Sequence, residues 1–195
     1  MTFFDQMKLS YADVPLTAAG EIPTDEFLQA TEDLIRIFDT MGAAFVVVKN
    51  DMHGNVVKIR TRRQQDPAGT VTLQALVKSE KAAGANTATE GLLWLKRALQ
   101  FVTLGLRLNL ANPKEELSVS FKTAYGQTLS KFHGIMVRPI FSLAMKSCPY
   151  RATFYEQLGA KSPDFEAAMN KWVEALEKEV TLLHDFYVAQ GLEKV

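Results

Sequence analysis

Apolar residues recur at helical spacing along most of the chain. Pro23-Thr24-Asp25-Glu26 is typical of a helix start, with acidic side chains in the first turn, and an apolar stripe follows as far as Met41. Gly42 is the predicted end of this helix, since glycine commonly follows a helix C-terminus. A second periodic segment extends from Thr70 to Ala83 and predicts another helix.

The middle of the chain predicts a long apolar helix and a further helical region after it. Thr87-Ala88-Thr89-Glu90 has the spacing of a capping box, which would open a helix running towards Leu110. Asn112-Pro113 ends that helix, because the residue before a proline is biased away from helical backbone. Residues 115–147 are helical in pattern again, and we expect Pro139 to force a kink or a fresh start.

The last segment predicts one more long helix. Ser162-Pro163-Asp164 would supply a cap and a proline at the first helical position, and Gly191 would close the helix. Its apolar stripe consists of Phe165, Met169, Trp172, Val173, Leu176, Val180, Leu183 and Tyr187. Since no repeat, low-complexity segment or linker interrupts the pattern, the sequence predicts a single all-α domain over residues 1–195.

One segment is ambiguous between helix and strand. Ala44 to Val48 is rich in β-branched residues, and His53-Gly54-Asn55 is compatible with a hairpin turn. Gly54 would cost a helix about 1 kcal/mol. We nevertheless favour a helix, because an isolated hairpin would have no other strong strand candidate to pair with.

The composition is that of a globular protein and narrows the choice of partner. The 195 residues are 47% hydrophobic and 23% charged, which is enough for a sizeable core in one domain. Twenty-two basic residues balance 22 acidic ones, so we expect no nucleic-acid partner. Cys148 is the single cysteine, so the sequence predicts no internal disulfide and no cysteine-based metal site. We also expect no cofactor.

The apolar segments predict a cytosolic protein. Residues 1–10 lack the charged start and long apolar stretch of a signal peptide. The most apolar segment, Leu92 to Leu110, has an uncharged run only from Ala98 to Leu106, far short of the ~20 residues that span a bilayer. We therefore expect a cytosolic location, with membrane contact that is peripheral and transient.

A polar stripe carries the candidate chemistry. On a helix, Asp51, Asn55 and Lys58 stand at i, i+4 and i+7 and so point the same way. A carboxylate, an amide and an ammonium together offer dense hydrogen bonding, and Trp94 offers a flat ring for stacking. Such a set suits a polyhydroxylated head group such as a sugar rather than bond cleavage.

Three motifs occur in order along the chain. They are Asp51-x-x-x-Asn55-x-x-Lys58, the block Leu92 to Leu99, and Lys131-Phe132-His133-Gly134. Together they resemble the glycolipid transfer protein family, from about residue 3 to residue 158. The segments most similar to the family's fungal heterokaryon-incompatibility branch are Thr2 to Met7, Tyr11 to Pro15 and Thr87 to Trp94.

The resemblance implies a fold, an activity and a polar site. The fold would be a two-layer all-α sandwich of about eight helices, and the protein, a monomer, would carry one glycosphingolipid between membranes. Trp94 would stack the first sugar ring, while Asn55 and Lys58 would hydrogen-bond its hydroxyls. Asp51 would accept the ceramide amide N–H, and His133 would donate to the amide carbonyl.

The resemblance also implies an apolar pocket and a membrane-contacting surface. The positions that match the pocket lining are Phe38, Phe45, Val48, Phe101, Leu129, Ile140 and Phe141. Ile135 stands where family members often have an aromatic membrane contact, and Tyr150 matches another position at that face. The chain ends Gly191-Leu192-Glu193-Lys194-Val195, without the tyrosine that some members carry in their tail.

Other interpretations of the same residues stay open. Trp94 among leucines is more often core, a histidine such as His133 is more often structural, and Lys58 to Arg63 is compatible with a solvated basic face. No nucleophile elbow, phosphate loop or zinc-protease motif is present, so we do not expect an enzyme, although a glycosidase-type carboxylate pair is not excluded.

Two alternative functions share this fold. One is a lipid-sensing or interaction module in which bound glycolipid is a signal. The other is a ceramide-1-phosphate carrier, which needs cations where the sugar site has an amide and an indole. Asn55 and Trp94 are uncharged, so we favour a simple neutral sugar. Positive charge for a phosphate or an anionic membrane is nevertheless offered by the run Lys58, Arg60, Arg62 and Arg63.

Overall fold

The computed structural model describes residues 1–193, in which helices joined by turns and irregular segments form the fold. Its eight α-helices are α1 Thr24–Ile35, α2 Val46–Gln65, α3 Leu73–Ala82, α4 Thr87–Ala111, α5 Leu117–Gln127, α6 Arg138–Lys146, α7 Arg151–Gln157 and α8 Phe165–Ala189. Short 3₁₀ turns lie at Phe4–Gln6, Tyr11–Asp13, Arg36–Thr40, Ala43–Phe45 and Leu129–Lys131. Within residues 1–193 the β-structure amounts to one isolated bridge, between Pro23 and Thr72, so the all-α prediction is confirmed.

The ambiguous segment is helical. A 3₁₀ turn covers Ala43–Phe45, and α2 continues from Val46 through Gly54 without a break. The residues that α2 buries are Val48, Met52, Asn55, Val56 and Ile59. Burial of this face stabilises the helix by more than Gly54 destabilises it, since each fully buried aliphatic side chain contributes about 1.5–3 kcal/mol.

The predicted capping box at the start of α4 is wrong. The N-cap residue is Asn86, and its side chain makes no capping bond. Instead the Glu80 carboxylate on α3 accepts the backbone N–H groups of Ala88 at 2.9 Å and Thr89 at 2.6 Å. A carboxylate from the neighbouring helix therefore satisfies the free N–H groups at this end of α4, where the helix dipole also favours negative charge.

The helix ends predicted from glycine and proline can be compared with the observed ones. Gly191 has a positive φ of 67° after α8, as predicted. The prediction for Gly42 is wrong in one respect: α1 ends at Ile35, and the 3₁₀ turn Arg36–Thr40 separates it from Gly42, whose φ is 91°. Pro139 lies in the first turn of α6 and gives the fresh start that was one of its two expected effects. Pro163 is not the first residue of α8, because a turn closed by the Phe165 N–H on the Ser162 carbonyl at 3.2 Å precedes the helix.

Helix α4 is the centre of the two-layer arrangement. It packs against α2, α3, α5 and α8, while α1 joins α2 and α6 joins α5. Sixteen of its 25 residues are buried, in accord with its apolar sequence. Among residues 1–193, no helix is both long enough and apolar enough to cross a bilayer.

The contact between α4 and α5 depends on a glycine. A Cβ atom at Gly105 would lie 2.9 Å from two ring carbons of Phe121, a buried side chain on α5. Without that methyl group the aromatic ring packs directly on the α4 backbone. Gly126, near the end of α5, has open space where its Cβ would be.

We predict that Gly105→Ala lowers the free energy of unfolding by about 1–2 kcal/mol. Overpacking against the Phe121 ring costs about 1–3 kcal/mol, and the better helix propensity of alanine returns up to about 1 kcal/mol. Urea unfolding followed by circular dichroism measures the change. Gly126→Ala is the matched control and should be neutral or slightly stabilising; equal destabilisation of both variants would contradict the packing argument.

Candidate functional site

The polar stripe predicted from sequence lies on α2. The Asn55 amide nitrogen donates to the Asp51 carboxylate at 3.4 Å, and the Lys58 ammonium donates to the side-chain oxygen Oδ1 of Asn55 at 3.1 Å. Asn55 is only 3% exposed, while Asp51 and Lys58 face solvent. Desolvation by neighbouring atoms raises the pKa of the Asp51 carboxyl above its usual value, and the charge of Lys58 opposes this shift.

Helix α4 meets this stripe at Gly91. A Cβ atom there would lie 3.2 Å from both Cβ and Cδ of Lys58 and 3.5 Å from the Asn55 carbonyl oxygen. The aliphatic stem of Lys58 therefore lies across the Gly91 backbone. Trp94 follows Gly91 one helical turn later and lies on the same face of α4.

Trp94 is part of an aromatic cluster rather than of the closed core. It is half-buried, and its ring stacks on His133 with centroids 6.0 Å apart and an interplanar angle of 20°. Phe132 contacts it edge-on at 6.5 Å. The Arg97 guanidinium lies 3.7 Å from the Phe132 ring centroid and 5.0 Å from that of Trp94, which holds the two rings together.

His133 is held by aromatic neighbours and by its own backbone. Its Nδ1 lies 3.1 Å from the Tyr125 hydroxyl, and its ring centroid is 4.4 Å from that of Phe141. Arg138 donates to the His133 carbonyl at 2.8 Å and so fixes the preceding turn. Burial, and then the charge of Arg138, lower the pKa of His133, so the imidazole is neutral at pH 7.

The C-terminal segment packs on α4 through Lys96 and Arg97. The Lys96 side chain is fully buried and pairs with the Glu193 carboxylate, with His184 Nδ1 at 3.4 Å. Arg97 donates to the Glu193 carbonyl oxygen at 2.8 Å. Glu193 thus anchors the same guanidinium that rests on Phe132 and Trp94.

Six of the seven residues predicted to line an apolar pocket are buried in the core. They are Phe38, Phe45, Val48, Phe101, Leu129 and Phe141. The rings pack on one another: Phe38 stacks on Phe45 at 5.9 Å, and Tyr125 stacks on Phe141 at 5.3 Å. The prediction for the seventh residue, Ile140, has to be corrected. Its side chain is 46% exposed, because α6 turns Phe141 inward and leaves Ile140 on the outer face.

Large apolar side chains gather on the surface around α6. Ile135 and Tyr150, the two predicted membrane contacts, are 84% and 77% exposed. Met136 in the same turn and Leu143 on α6 are exposed as well. An exposed apolar group of this kind on a globular protein marks an interaction surface.

Three residues of the cluster had no role in the sequence interpretation. Arg97 and Phe132 belong to the motif blocks that carry the family resemblance, and this is the signal that could have identified them. Helical spacing alone assigns them no role. Tyr125, the partner of His133, gave none, because the turn at Leu129–Lys131 that brings the two together has no periodic pattern.

Comparisons with known proteins show the family to which the chain belongs. The family model described as Glycolipid transfer protein (GLTP) matches residues 22–160. A glycolipid transfer protein from Aureobasidium melanogenum is 49% identical over 190 residues, covering 97% of this chain and 94% of that protein. The crystal structure of HET-C2, a fungal glycolipid transfer protein, has a TM-score of 0.92 at 42% identity and covers 95% of this chain and 96% of its own.

A more distant structure shares the architecture. A mouse ceramide-1-phosphate transfer protein has a TM-score of 0.88 at 20% identity over 99% of both chains, a likeness that shows the fold alone. The family model and the identity of 49% show more than the fold. The chain belongs to the glycolipid transfer protein family, and the predicted two-layer fold is confirmed.

Proposed function

We propose that this protein takes one glycosphingolipid with a simple neutral sugar out of a membrane and carries it to another. The observation that supports this most is the packing of the α2 stripe on Gly91, one helical turn before Trp94 on the same face of α4. A half-buried indole beside an amide and an ammonium offers a stacking face and hydrogen-bond partners to one sugar ring. Membership of a family of lipid transfer proteins supports transfer rather than catalysis.

Each polar residue has one role in this proposal. Trp94 stacks the first sugar ring, and Asn55 and Lys58 hydrogen-bond its hydroxyls. Asp51 accepts the ceramide amide N–H; a carboxylate makes this bond stronger than a neutral acceptor would. In this role the Tyr125 hydroxyl donates to Nδ1 of His133, so the neutral imidazole carries its proton on Nε2. The Nε2–H group then donates to the ceramide amide carbonyl.

The hydrocarbon chains enter the apolar interior beneath the polar stripe. Outside a membrane, exposed chains cost about 0.8 kcal/mol per methylene, so no useful fraction of lipid leaves without an apolar replacement. The stacked pairs Phe38–Phe45 and Tyr125–Phe141 lie in this interior and have to separate to admit the chains. Such an interior accepts any long chain, so selectivity comes from the polar site.

Docking on the membrane uses the exposed surface around α6. Ile135, Met136, Leu143 and Tyr150 insert their apolar side chains at the interface. His133 precedes Ile135 by two residues, so docking brings the edge of the polar site to the lipid head groups. The contact is transient, since the inserted surface is small.

A ceramide-1-phosphate carrier is less well supported. A phosphate needs free cations at the head-group site. Arg97, the cation beside Trp94, is only 2% exposed, stacks on Phe132 and is bonded to the Glu193 carbonyl. An enzyme mechanism that uses Cys148 as a nucleophile is also poorly supported. Burial raises the pKa of this thiol to about 12, and the thiolate is the reactive form.

A lipid-sensing module remains the alternative from another class of function. A sensor binds the glycolipid and changes its contacts with a partner protein, whereas a carrier moves lipid without one. Transfer of a labelled glycosylceramide between two vesicle populations, with this protein as the sole addition, separates the two functions. Transfer supports the carrier, and tight binding without transfer supports the sensor.

We predict that Trp94→Ala lowers glycosylceramide transfer at least tenfold while the helical content stays near that of the wild type. The ring that covers the sugar is lost, and a loss of about 1.4 kcal/mol is tenfold in affinity. Vesicle transfer and far-UV circular dichroism are the measurements. Trp94→Phe keeps an aromatic face and should retain a larger share of the activity; unchanged transfer by the alanine variant would refute the stacking role.

We predict that Asp51→Val lowers binding of the same lipid by about ten- to a hundredfold. A hydrogen bond to a charged group is worth about 1.5–3 kcal/mol, and valine offers no acceptor to the ceramide amide. Thermal unfolding should change little, because Asp51 is exposed on α2. Asp185→Val, at an exposed position on α8, is the control; an Asp51 variant that unfolds instead would make this residue structural.

A further inference from the structure

A surface pocket lies where the last turn of α4, helix α7 and the start of α8 meet. Its volume is about 270 Å³, just below the usual range for ligand pockets. The lining includes Leu110, Arg151, Tyr155 and Phe165. Leu110 follows Trp94 by 16 residues along α4, which at 1.5 Å per residue is about 24 Å. None of the roles proposed above uses this pocket.

Two residues of the lining each bury a polar group that has no hydrogen-bond partner in the part of the chain that the structure describes. The groups are the Tyr155 hydroxyl and the Nε–H of Arg151. Tyr155 is only 7% exposed. Folded proteins pair the large majority of their buried polar atoms, because an unpaired one has lost its bonds to water. Two such groups, four residues apart on α7 and in one pocket, therefore indicate a ligand that pairs with both.

Both unpaired groups can donate a hydrogen bond. The Nε–H of an arginine donates and cannot accept. Burial raises the pKa of Tyr155, and the neighbouring charge of Arg151 opposes this shift, so the hydroxyl keeps its proton at neutral pH. The ligand group that matches them therefore carries oxygen acceptors.

The charge of Arg151 favours an anion. Within residues 1–193 the salt bridges leave its guanidinium without a carboxylate partner. The Glu116 carboxylate nearby accepts the backbone N–H of Arg151 at 2.8 Å instead. A carboxylate suits a guanidinium well, since both of its oxygens accept charge-assisted hydrogen bonds. Glu166, an exposed residue of the lining, repels a ligand with one negative charge less than a ligand with two.

The rest of the lining offers an apolar surface. Leu110 and Pro113 lie at the end of α4, and Phe165 begins α8. The Phe165 ring meets that of Tyr155 edge-on, with centroids 5.8 Å apart. Such a surface suits the alkyl or aryl body of a ligand whose charged end is held by Arg151.

We propose that this pocket binds a small monocarboxylate with an apolar aryl or alkyl body. The Arg151 guanidinium and the Tyr155 hydroxyl donate to the same carboxylate, and the body lies against Leu110 and Phe165. The guanidinium carbon now lies 4.2 Å from the centroid of the Tyr155 ring, so the Arg151 side chain turns outward to let the carboxylate reach the hydroxyl. Arg151 is partly exposed, which leaves room for this movement. The site is independent of the glycolipid that we propose at Trp94.

The test uses phenylacetate as the probe and 2-phenylethanol as its uncharged counterpart. Two-dimensional ¹H–¹⁵N NMR titration of the whole chain locates the bound probe and gives its affinity. We expect phenylacetate to bind with a Kd of about 1 mM or tighter, as is usual for a ligand of this size. It should shift the amide signals of Leu110, Tyr155 and Phe165, and 2-phenylethanol should bind at least tenfold more weakly.

Two variants remove the proposed contacts. Tyr155→Phe should weaken binding of phenylacetate about fivefold, while the Tm without ligand stays the same or rises, because the free protein makes no hydrogen bond with this hydroxyl. A purely structural hydroxyl would lower the Tm instead. Arg151→Gln should weaken binding at least tenfold. Arg107→Gln is the matched control on α4 outside the pocket and should change the affinity less than twofold.

Four outcomes would overturn this site. They are no saturable shift with phenylacetate, shifts that map to Trp94 or the apolar interior, equal binding of 2-phenylethanol or of inorganic phosphate, and wild-type affinity in the pocket variants. Tyr155→Phe carries the test if circular dichroism shows that Arg151→Gln does not fold. Glycolipid transfer is measured separately, so failure of this site leaves the proposed function standing.

Discussion

The contact between Lys58 and Gly91 is the constraint on which the polar site depends. Because residue 91 has no side chain, the stem of Lys58 lies directly on the backbone of α4. This close approach of α2 and α4 brings the hydrogen-bonding stripe onto α4 one helical turn before Trp94. With a larger residue at 91 the stripe and the indole would still exist on their own helices, but they would no longer be placed to bind the one head group that we propose for them.

The surroundings of Trp94 are built to keep the ring in place. Arg97 rests on Phe132 and is itself bonded to the Glu193 carbonyl, while His133 is stacked on the indole and linked to Tyr125. These contacts come from α4, α5, the turn before α6 and the C-terminal segment. A binding surface held from several directions loses little conformational entropy when it binds, which favours affinity.

Hydrophobic periodicity predicted most of the helices, and the reason is visible in the core. The stripe from Phe165 to Tyr187 is buried throughout, and the polar stripe on α2 lies on one face, as helical spacing required. The predictions that failed concerned features that depend on contacts between distant elements. Glu80 caps α4 from another helix, and Ile140 faces outward although its neighbour Phe141 is buried. Local spacing contains no information about which element supplies a cap or covers a face.

In this account the polar site selects the cargo and the apolar interior replaces the bilayer. The most direct measurement is vesicle-to-vesicle transfer by the wild-type protein alone, with monohexosyl ceramide, ceramide and ceramide-1-phosphate that carry identical chains. The account predicts transfer of the monohexosyl lipid at least tenfold faster than that of either other lipid. Equal rates for all three, or a preference for the phosphorylated lipid, would contradict it.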